Sequence, residues 1–140
     1  MNSGIYNTQV AELVLRYFAA FLFLFQGYDK LFKIGMPAVV DTFMQDAGKY
    51  EAPRWFVAFV SWCSSLAEFA GGILLLLGFM TDVSLYLLSL DVLVVGFAFS
   101  FLDPMWDVKH VFPRLMLLIA LLLLPDQEAY FRLDTLLTHR

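Results

Sequence analysis

The stretch that decides the fold runs from Trp55 to Leu102 and reads WFVAFVSWCSSLAEFAGGILLLLGFMTDVSLYLLSLDVLVVGFAFSFL. It holds two apolar runs, Trp55 to Phe79 and Val83 to Leu102, and only Met80-Thr81-Asp82 separates them. Each run reaches about 20 residues, the length that a helix needs to cross the hydrocarbon core of a bilayer. Because the connection is so short, the two helices must lie side by side and antiparallel. The stretch therefore predicts a transmembrane helical hairpin.

Further apolar runs flank this hairpin, from about Val10 to Phe32 before it and from about Val108 to Leu124 after it. Lipid offers the backbone no hydrogen-bond partners, so a spanning segment must satisfy its own backbone, as a helix does. None of the runs alternates polar and apolar residues as the strands of a membrane barrel do. We predict an all-α polytopic membrane protein: a single domain over residues 1–140, built as an antiparallel bundle of four transmembrane helices. Both termini then lie on one face, called side A, and the opposite face is side B.

The composition agrees with a bilayer location and excludes several kinds of function. Hydrophobic residues make up 61% of the chain and charged residues 16%, whereas a soluble domain is nearer half apolar and a quarter charged. The net charge of -4 argues against nucleic acid, which requires a basic surface. Cys63 is the single cysteine, which excludes an intramolecular disulfide. His110 and His139 are placed at opposite ends of the bundle, so we expect neither haem nor a metal site.

Two segments are predicted to lie outside the bilayer. In the first loop, apolar side chains recur at steps of three and four residues, Pro37 suits a first helical turn and Gly48 a C-cap. This predicts a short amphipathic helix over about 37–48 on side B, either as a cap over the bundle or as a simple connector. The dipeptides Asp103-Pro104 and Pro125-Asp126 are predicted helix stops, and the tail 125–140 is expected to lie along the membrane surface.

Ionisable side chains within the apolar runs give the strongest functional signal, because such groups are costly in hydrocarbon and usually face the bundle interior. At 1.5 Å per helical residue, Glu68, Asp91 and Arg114 lie about 14–18 Å from side A, near the middle of the core. Arg16 lies about 9 Å from side A in the first helix. Serines and glycines share the helical face of Glu68, which indicates that this face packs against a neighbouring helix.

Toward side B the polar residues continue with Gln26, Lys30 and His110. Two interpretations stay open. The charged residues are structural ion pairs that fix the register of the helices, or they line a polar pocket that holds a ligand head group or relays protons. The distribution of basic residues does not decide which side is cytoplasmic, because Arg16, Lys30 and Arg114 are candidates for the bundle interior.

Two motifs resemble the DoxX-like family of membrane proteins. The first is Arg16 followed by Phe21-Leu22-Phe23, Gln26-Gly27 and Lys30-Leu31-Phe32, and the second is the stretch 67–81, AEFAGGILLLLGFMT. The resemblance covers roughly residues 12 to 125 and implies a four-helix membrane bundle. It identifies Glu68 as the acidic residue of the family and Arg16, Gln26 and Lys30 as polar positions of its first helix. The family commonly has histidine where this chain has Gln26, which puts a proton role at that position in doubt.

The family includes the small DoxD-type subunit of a thiosulfate:quinone oxidoreductase, proteins that accompany redox enzymes, and distant relatives in membrane-protein assembly. The resemblance therefore implies a quinone- or lipophile-binding subunit of a membrane redox system. The head group would lie among the predicted site residues Gln26, Lys30, Glu68, Asp91, His110 and Arg114. If the chain takes part in an enzyme, a partner redox protein would supply the electrons. The alternatives are a homo-oligomer without such a partner and a non-catalytic assembly or interaction factor whose buried charges are structural. We expect a bacterial cytoplasmic membrane location.

Overall fold

The computed structural model describes residues 3–47, 50–102, 107–124 and 132–138, and every regular element in these ranges is helical. The helices are α1 (Ser3–Tyr28), α2 (Met36–Ala47), α3 (Arg54–Leu77), α4 (Thr81–Leu102), α5 (Phe112–Leu123) and α6 (Leu133–Thr138). A π-helical turn, Asp29–Ile34, extends α1, and a second one, Asp107–Val111, leads into α5. The predicted cap Gly48 and the predicted stops at Asp103-Pro104 and Pro125-Asp126 lie outside the described residues.

Within the described residues, three helical segments are long and apolar enough to cross a membrane. They are Tyr6–Ile34, Arg54–Leu77 and Thr81–Ala98. The predicted hairpin is present as α3 and α4, and the turn Gly78 to Met80 joins them. The fourth predicted run is helical from Asp107 to Leu123, but it is shorter than these three. By length and composition, the structure therefore gives three of the four predicted crossings.

Helices α1 and α3 pack backbone against backbone in antiparallel orientation. A Cβ atom added to Gly27 would lie 2.5 Å from the backbone nitrogen of Phe69, and one added to Gly72 would lie 2.6 Å from that of Leu24. Small residues allow such close approach, on which helix association in lipid depends. The contact fixes which residues of the two helices lie at the same level, with Gln26 close to the level of Glu68.

Helix α3 lies at the centre of the bundle and contacts α1, α2 and α4, while α5 packs against α1 and α4. Gly71 faces Leu88 of α4, and the Ser84 hydroxyl donates a hydrogen bond of 2.8 Å to the Gly71 carbonyl oxygen. The apolar core consists of buried residues from α1, α3, α4, α5 and the turn before α5: Ala19, Ala20, Phe23, Leu75, Leu85, Leu88, Val92, Val111, Leu118 and Leu121. This arrangement surrounds the polar face of α3 with the other helices.

The first loop contains α2, over Met36–Ala47, which packs on α3. Its Val39 and Val40 are buried, whereas Asp41 and Thr42 are exposed. Arg54, at the start of α3, donates a hydrogen bond of 2.5 Å to Asp41. Helix α2 is therefore attached to the side-B end of α3 by apolar packing and by an ion pair.

A matched pair of glycine substitutions tests the close contact of α1 with α3. Gly72→Ala should lower the free energy of unfolding by about 1–3 kcal/mol, the range for overpacked interiors, because the new methyl group would meet the backbone of Leu24. Gly96→Ala is the control, because its Cβ would meet only the Val111 side chain, at 3.1 Å. Denaturant titration of both variants in detergent micelles measures the difference. Equal losses would contradict backbone contact at Gly72.

Candidate functional site

Glu68 is the centre of a charged cluster at mid-height of the bundle. Its side chain is 1% exposed, and it lies on the face of α3 that also buries Ser61, Ser64, Ser65, Gly71, Gly72 and Leu75. From Glu68 the helix continues about 21 Å back to Arg54 and about 14 Å on to Leu77, at 1.5 Å per residue. The acid is therefore far from both ends of a spanning helix, as the sequence predicts.

Two cations from different helices approach the Glu68 carboxylate. Lys30 Nζ donates a hydrogen bond of 2.7 Å to Oε2, and Arg114 Nη1 lies 4.0 Å from Oε1. Asp91 of α4 is 9% exposed, and it interacts electrostatically with Glu68, Lys30 and Arg114. The formal charges of these four groups sum to zero when both acids are ionised. The cluster thus unites four of the residues predicted from the sequence, one from each long helical segment.

Both cations lie in or close to π-helical turns. Lys30 belongs to the turn Asp29–Ile34 that ends the first helix, and Arg114 follows the turn Asp107–Val111 closely. A π-helical turn holds an extra residue, so it changes the direction of the side chains around it, and such turns are frequent at functional sites. Neither turn is among the features predicted from the sequence.

Several buried polar atoms on these helices form no hydrogen bond of standard geometry with the described residues. They are Gln26 Oε1, Ser64 Oγ, Ser65 Oγ, Ser89 Oγ and Asp91 Oδ2. Ser64 is close enough to Asp91 to interact with its carboxylate. A buried polar atom without a partner costs roughly 1–3 kcal/mol, and most buried polar groups in native proteins are bonded to protein or water. A polar ligand or ordered water beside the charged cluster would supply the hydrogen bonds that these atoms lack.

The sequence predicts Arg16 in the polar core with these residues, whereas in the structure it lies in a second charged network nearer side A. It is fully buried and donates a hydrogen bond of 2.8 Å to the carbonyl oxygen of Leu75 and one of 3.1 Å to Glu12. Leu75 lies about 10 Å along α3 from Glu68. Arg16 therefore binds the last turn of α3.

The C-terminal segment completes this side-A network. Arg132 contacts the Glu12 carboxylate through Nε at 3.0 Å and Nη2 at 2.9 Å. Asp134 accepts hydrogen bonds from the backbone nitrogens of Met80 and Thr81, at 2.9 and 3.1 Å, and so caps the first turn of α4. The described part of the tail is thus held on the α3–α4 turn. Sequence reasoning missed Glu12, although its four-residue spacing from Arg16 is a signal for an ion pair on one helix.

The remaining predicted residues fall into two groups. Gln26 is partly buried and lies near the level of Glu68. His110 is exposed and belongs to the π-helical turn before α5, about one helical turn closer to side B than Arg114. The structure therefore places Gln26 at the level of the cluster and leaves His110 outside the buried cluster, toward side B.

An apolar cleft of about 270 Å³ lies between α4 and the start of α5. Its walls are Val92, Leu93, Gly96, Phe97, Ser100, Val111, Phe112 and Leu115. Two of these residues, Val92 and Leu115, directly follow Asp91 and Arg114 in the sequence, so the cleft reaches the level of the charged cluster. Its lining suits a hydrocarbon chain, because it contains the single hydroxyl of Ser100 and no charged side chain.

One comparison with known proteins agrees with the family motifs. No curated protein and no solved structure matches the chain. The model of the DoxX family matches residues 11–100, a range that contains three of the four cluster residues and the Glu-x-x-Gly-Gly motif of α3. Because the match covers more than half of the 140 residues, this chain is a membrane protein of the DoxX family.

Proposed function

We propose that the protein is a quinone-binding membrane subunit, or a subunit that binds a similar lipophile, and that it holds the polar head group beside the Glu68 cluster. The observation that carries the proposal is the set of buried polar atoms without partners at the level of a neutral, four-residue charged cluster. A purely structural cluster gains nothing from leaving such atoms unbonded. A bound head group would satisfy them.

The residues present fit a quinone head group. Lys30 and Arg114 carry N–H donors that can be directed at carbonyl oxygens, as can the hydroxyls of Ser64 and Ser65. The oxygens of Asp91 and Gln26 that lack partners can accept hydrogen bonds from the hydroxyl groups of the reduced form, the quinol. The cluster thus offers both kinds of partner at one level of the bundle. With one cysteine in the chain, dithiol chemistry is not open to it, so a partner protein would supply the electrons.

The cleft between α4 and α5 would hold the apolar tail of such a ligand. It is open at its rim, where Leu93 and Phe97 are largely exposed, and in a bilayer this rim faces the acyl chains. A lipophile could therefore reach the cluster sideways from the membrane, with its tail in the cleft and its head group at Asp91 and Arg114.

This location of the site requires that the segment from Asp107 to Leu123 also crosses the bilayer. At 1.5 Å per residue the segment is about 26 Å long, close to a hydrocarbon core of about 30 Å. Four crossings place both termini on side A. Helix α2, with its buried apolar face and exposed Asp41, would then act as an amphipathic cap over the side-B end.

Mass spectrometry of lipids that co-purify in mild detergent tests the proposal. Wild-type protein should retain quinone in near-stoichiometric amount, well above its share of the membrane lipid. Ser100→Phe should reduce the retained quinone several-fold, because the new ring fills the cleft. Leu90→Phe places the same ring on α4 at a position that is 61% exposed, and should leave retention unchanged.

Two results would contradict the proposal. One is wild-type protein that carries no more quinone than the detergent-solubilised membrane. The other is a folded Ser100→Phe variant that retains as much as Leu90→Phe. Thermal unfolding of both variants establishes that they are folded.

One observation favours the rival function, a non-catalytic assembly or interaction factor. Tyr17, Phe21 and Phe25 form a stacked aromatic row on the exposed face of α1, with ring centroids 6.3 and 6.1 Å apart. Such a row could pack against the helix of another membrane protein. If it does, replacing Phe21 by leucine should weaken association with that protein and leave quinone retention unchanged.

A further inference from the structure

The two acids of the cluster, Glu68 and Asp91, have different hydrogen-bond partners, and this difference suggests a different role for each. Glu68 is hydrogen-bonded to Lys30 and lies 4.0 Å from Arg114. Asp91 is more than nine-tenths buried, and its carboxylate interacts with the Ser64 hydroxyl, but its Oδ2 forms no hydrogen bond of standard geometry with the described residues. The nearest cations are therefore directed at Glu68, and Asp91 retains an acceptor atom.

The contacts of Glu68 define a positioning role. A buried carboxylate that accepts a hydrogen bond from Lys30 at 2.7 Å forms a short charge-assisted bond. The same carboxylate attracts Arg114 from α5 and so holds two cations from separate helices at one level. A ligand that bound Glu68 would compete with these two cations for the carboxylate.

Asp91 Oδ2 can accept a hydrogen bond from a donor on a ligand. An ionised carboxylate only accepts hydrogen bonds, and Oε1 of Gln26, near the same level, is a second acceptor without a partner. A quinone offers only carbonyl oxygens, which are acceptors. Its reduced form, the quinol, offers two hydroxyl donors.

We propose, building on the function proposed above, that Asp91 is the ligand-contacting acid of the site and that it makes the site prefer the quinol to the quinone. Asp91 accepts a hydrogen bond from one quinol hydroxyl, while Glu68 keeps Lys30 and Arg114 in place. The assignment concerns binding and involves no electron transfer by this chain.

Anaerobic equilibrium binding tests the preference, with a quinone that bears a two-isoprene tail and the same compound fully reduced. The wild-type protein should bind the quinol more tightly than the quinone. Asp91→Asn should reduce that ratio about tenfold, since a hydrogen bond to a charged acceptor is roughly twice as strong as one to a neutral acceptor. Asp82→Asn makes the same change at an exposed position in the first turn of α4 and should not alter the ratio.

Each outcome decides one proposal. Binding of the quinone as tightly as, or more tightly than, the quinol by wild-type protein would overturn the role of Asp91 but leave a quinone site in place, and this comparison requires no variant. An Asp91→Asn variant that is folded and keeps the wild-type ratio would also overturn it. If the protein binds neither form, the proposed function itself fails.

Discussion

Replacing Glu68 by leucine is expected to lower the free energy of unfolding by about 3–5 kcal/mol, the loss that follows removal of one partner from a buried ion pair. The substitution takes the hydrogen-bond acceptor from Lys30 and the nearby anion from Arg114. Both cations would then remain in a largely apolar bundle with Asp91 as the acid left in the cluster. Denaturant titration in micelles measures the effect, and a loss below about 1 kcal/mol, the scale of an exposed pair, would contradict the buried pairing.

The double variant Glu68→Leu/Lys30→Met separates the structural interpretation from the ligand interpretation. Removing the cation as well should restore much of the lost stability, because well-packed apolar residues often replace a buried ion pair without net loss. Quinone retention is the second measurement. A stable double variant that retains quinone like wild type would mean that the pair only fixes the bundle. A stable variant that has lost its quinone would mean that the pair positions the ligand site.

The long helices could be predicted from the sequence because hydropathy over about 20 residues is a strong signal. The predicted run from Val10 to Phe32 corresponds to a helix that begins earlier, at Ser3, and continues as a π-helical turn to Ile34. Helix ends are less certain than helix centres, because polar terminal residues carry little hydropathy signal. Gln9 and Glu12 conceal the start of α1 in this way.

Depth along a helix predicted the members of the cluster but not their partners. The rise per residue placed Glu68, Asp91 and Arg114 at one level, and the structure brings them together with Lys30. The same arithmetic could not show that Arg16 binds the end of α3. A depth gives one coordinate, whereas contacts also depend on the rotation of each helix and on where the chain returns.

The other contacts that could not be predicted from the sequence are made by the C-terminal segment, which packs on the α3–α4 turn. Arg132 and Asp134 belong to a tail without periodic pattern, and their partners Glu12 and Met80 are distant in sequence. The docking depends on the tight α3–α4 turn, where Gly78 has a φ of 63° and Met80 a φ of 47°. Only the folded turn presents the backbone N–H groups that donate hydrogen bonds to Asp134, so no local sequence pattern predicts this contact.

Glu12→Leu should have an effect comparable to that of Glu68→Leu, about 3–5 kcal/mol of unfolding free energy, but without loss of ligand. The substitution removes the carboxylate that Arg16 and Arg132 both contact. Because Arg132 then loses its attachment to α1, trypsin should cleave after Arg132 faster than in wild-type protein. Glu12→Gln is the matched control, which keeps an acceptor oxygen and should show a smaller change in both measurements.

Quinone retention by these variants tests whether the two charged networks are independent. The Arg16 network meets α3 at Leu75, about 10 Å along the helix from Glu68, and the core residues Phe23, Leu88 and Leu118 are fully buried. Apolar packing thus occupies the interior of the bundle. A Glu12→Leu variant with normal stability and reduced quinone retention would place Glu12 in the ligand site. A destabilised variant that still retains quinone at low temperature would show that Arg16 and Glu12 stabilise the side-A end of the bundle and do not bind the ligand.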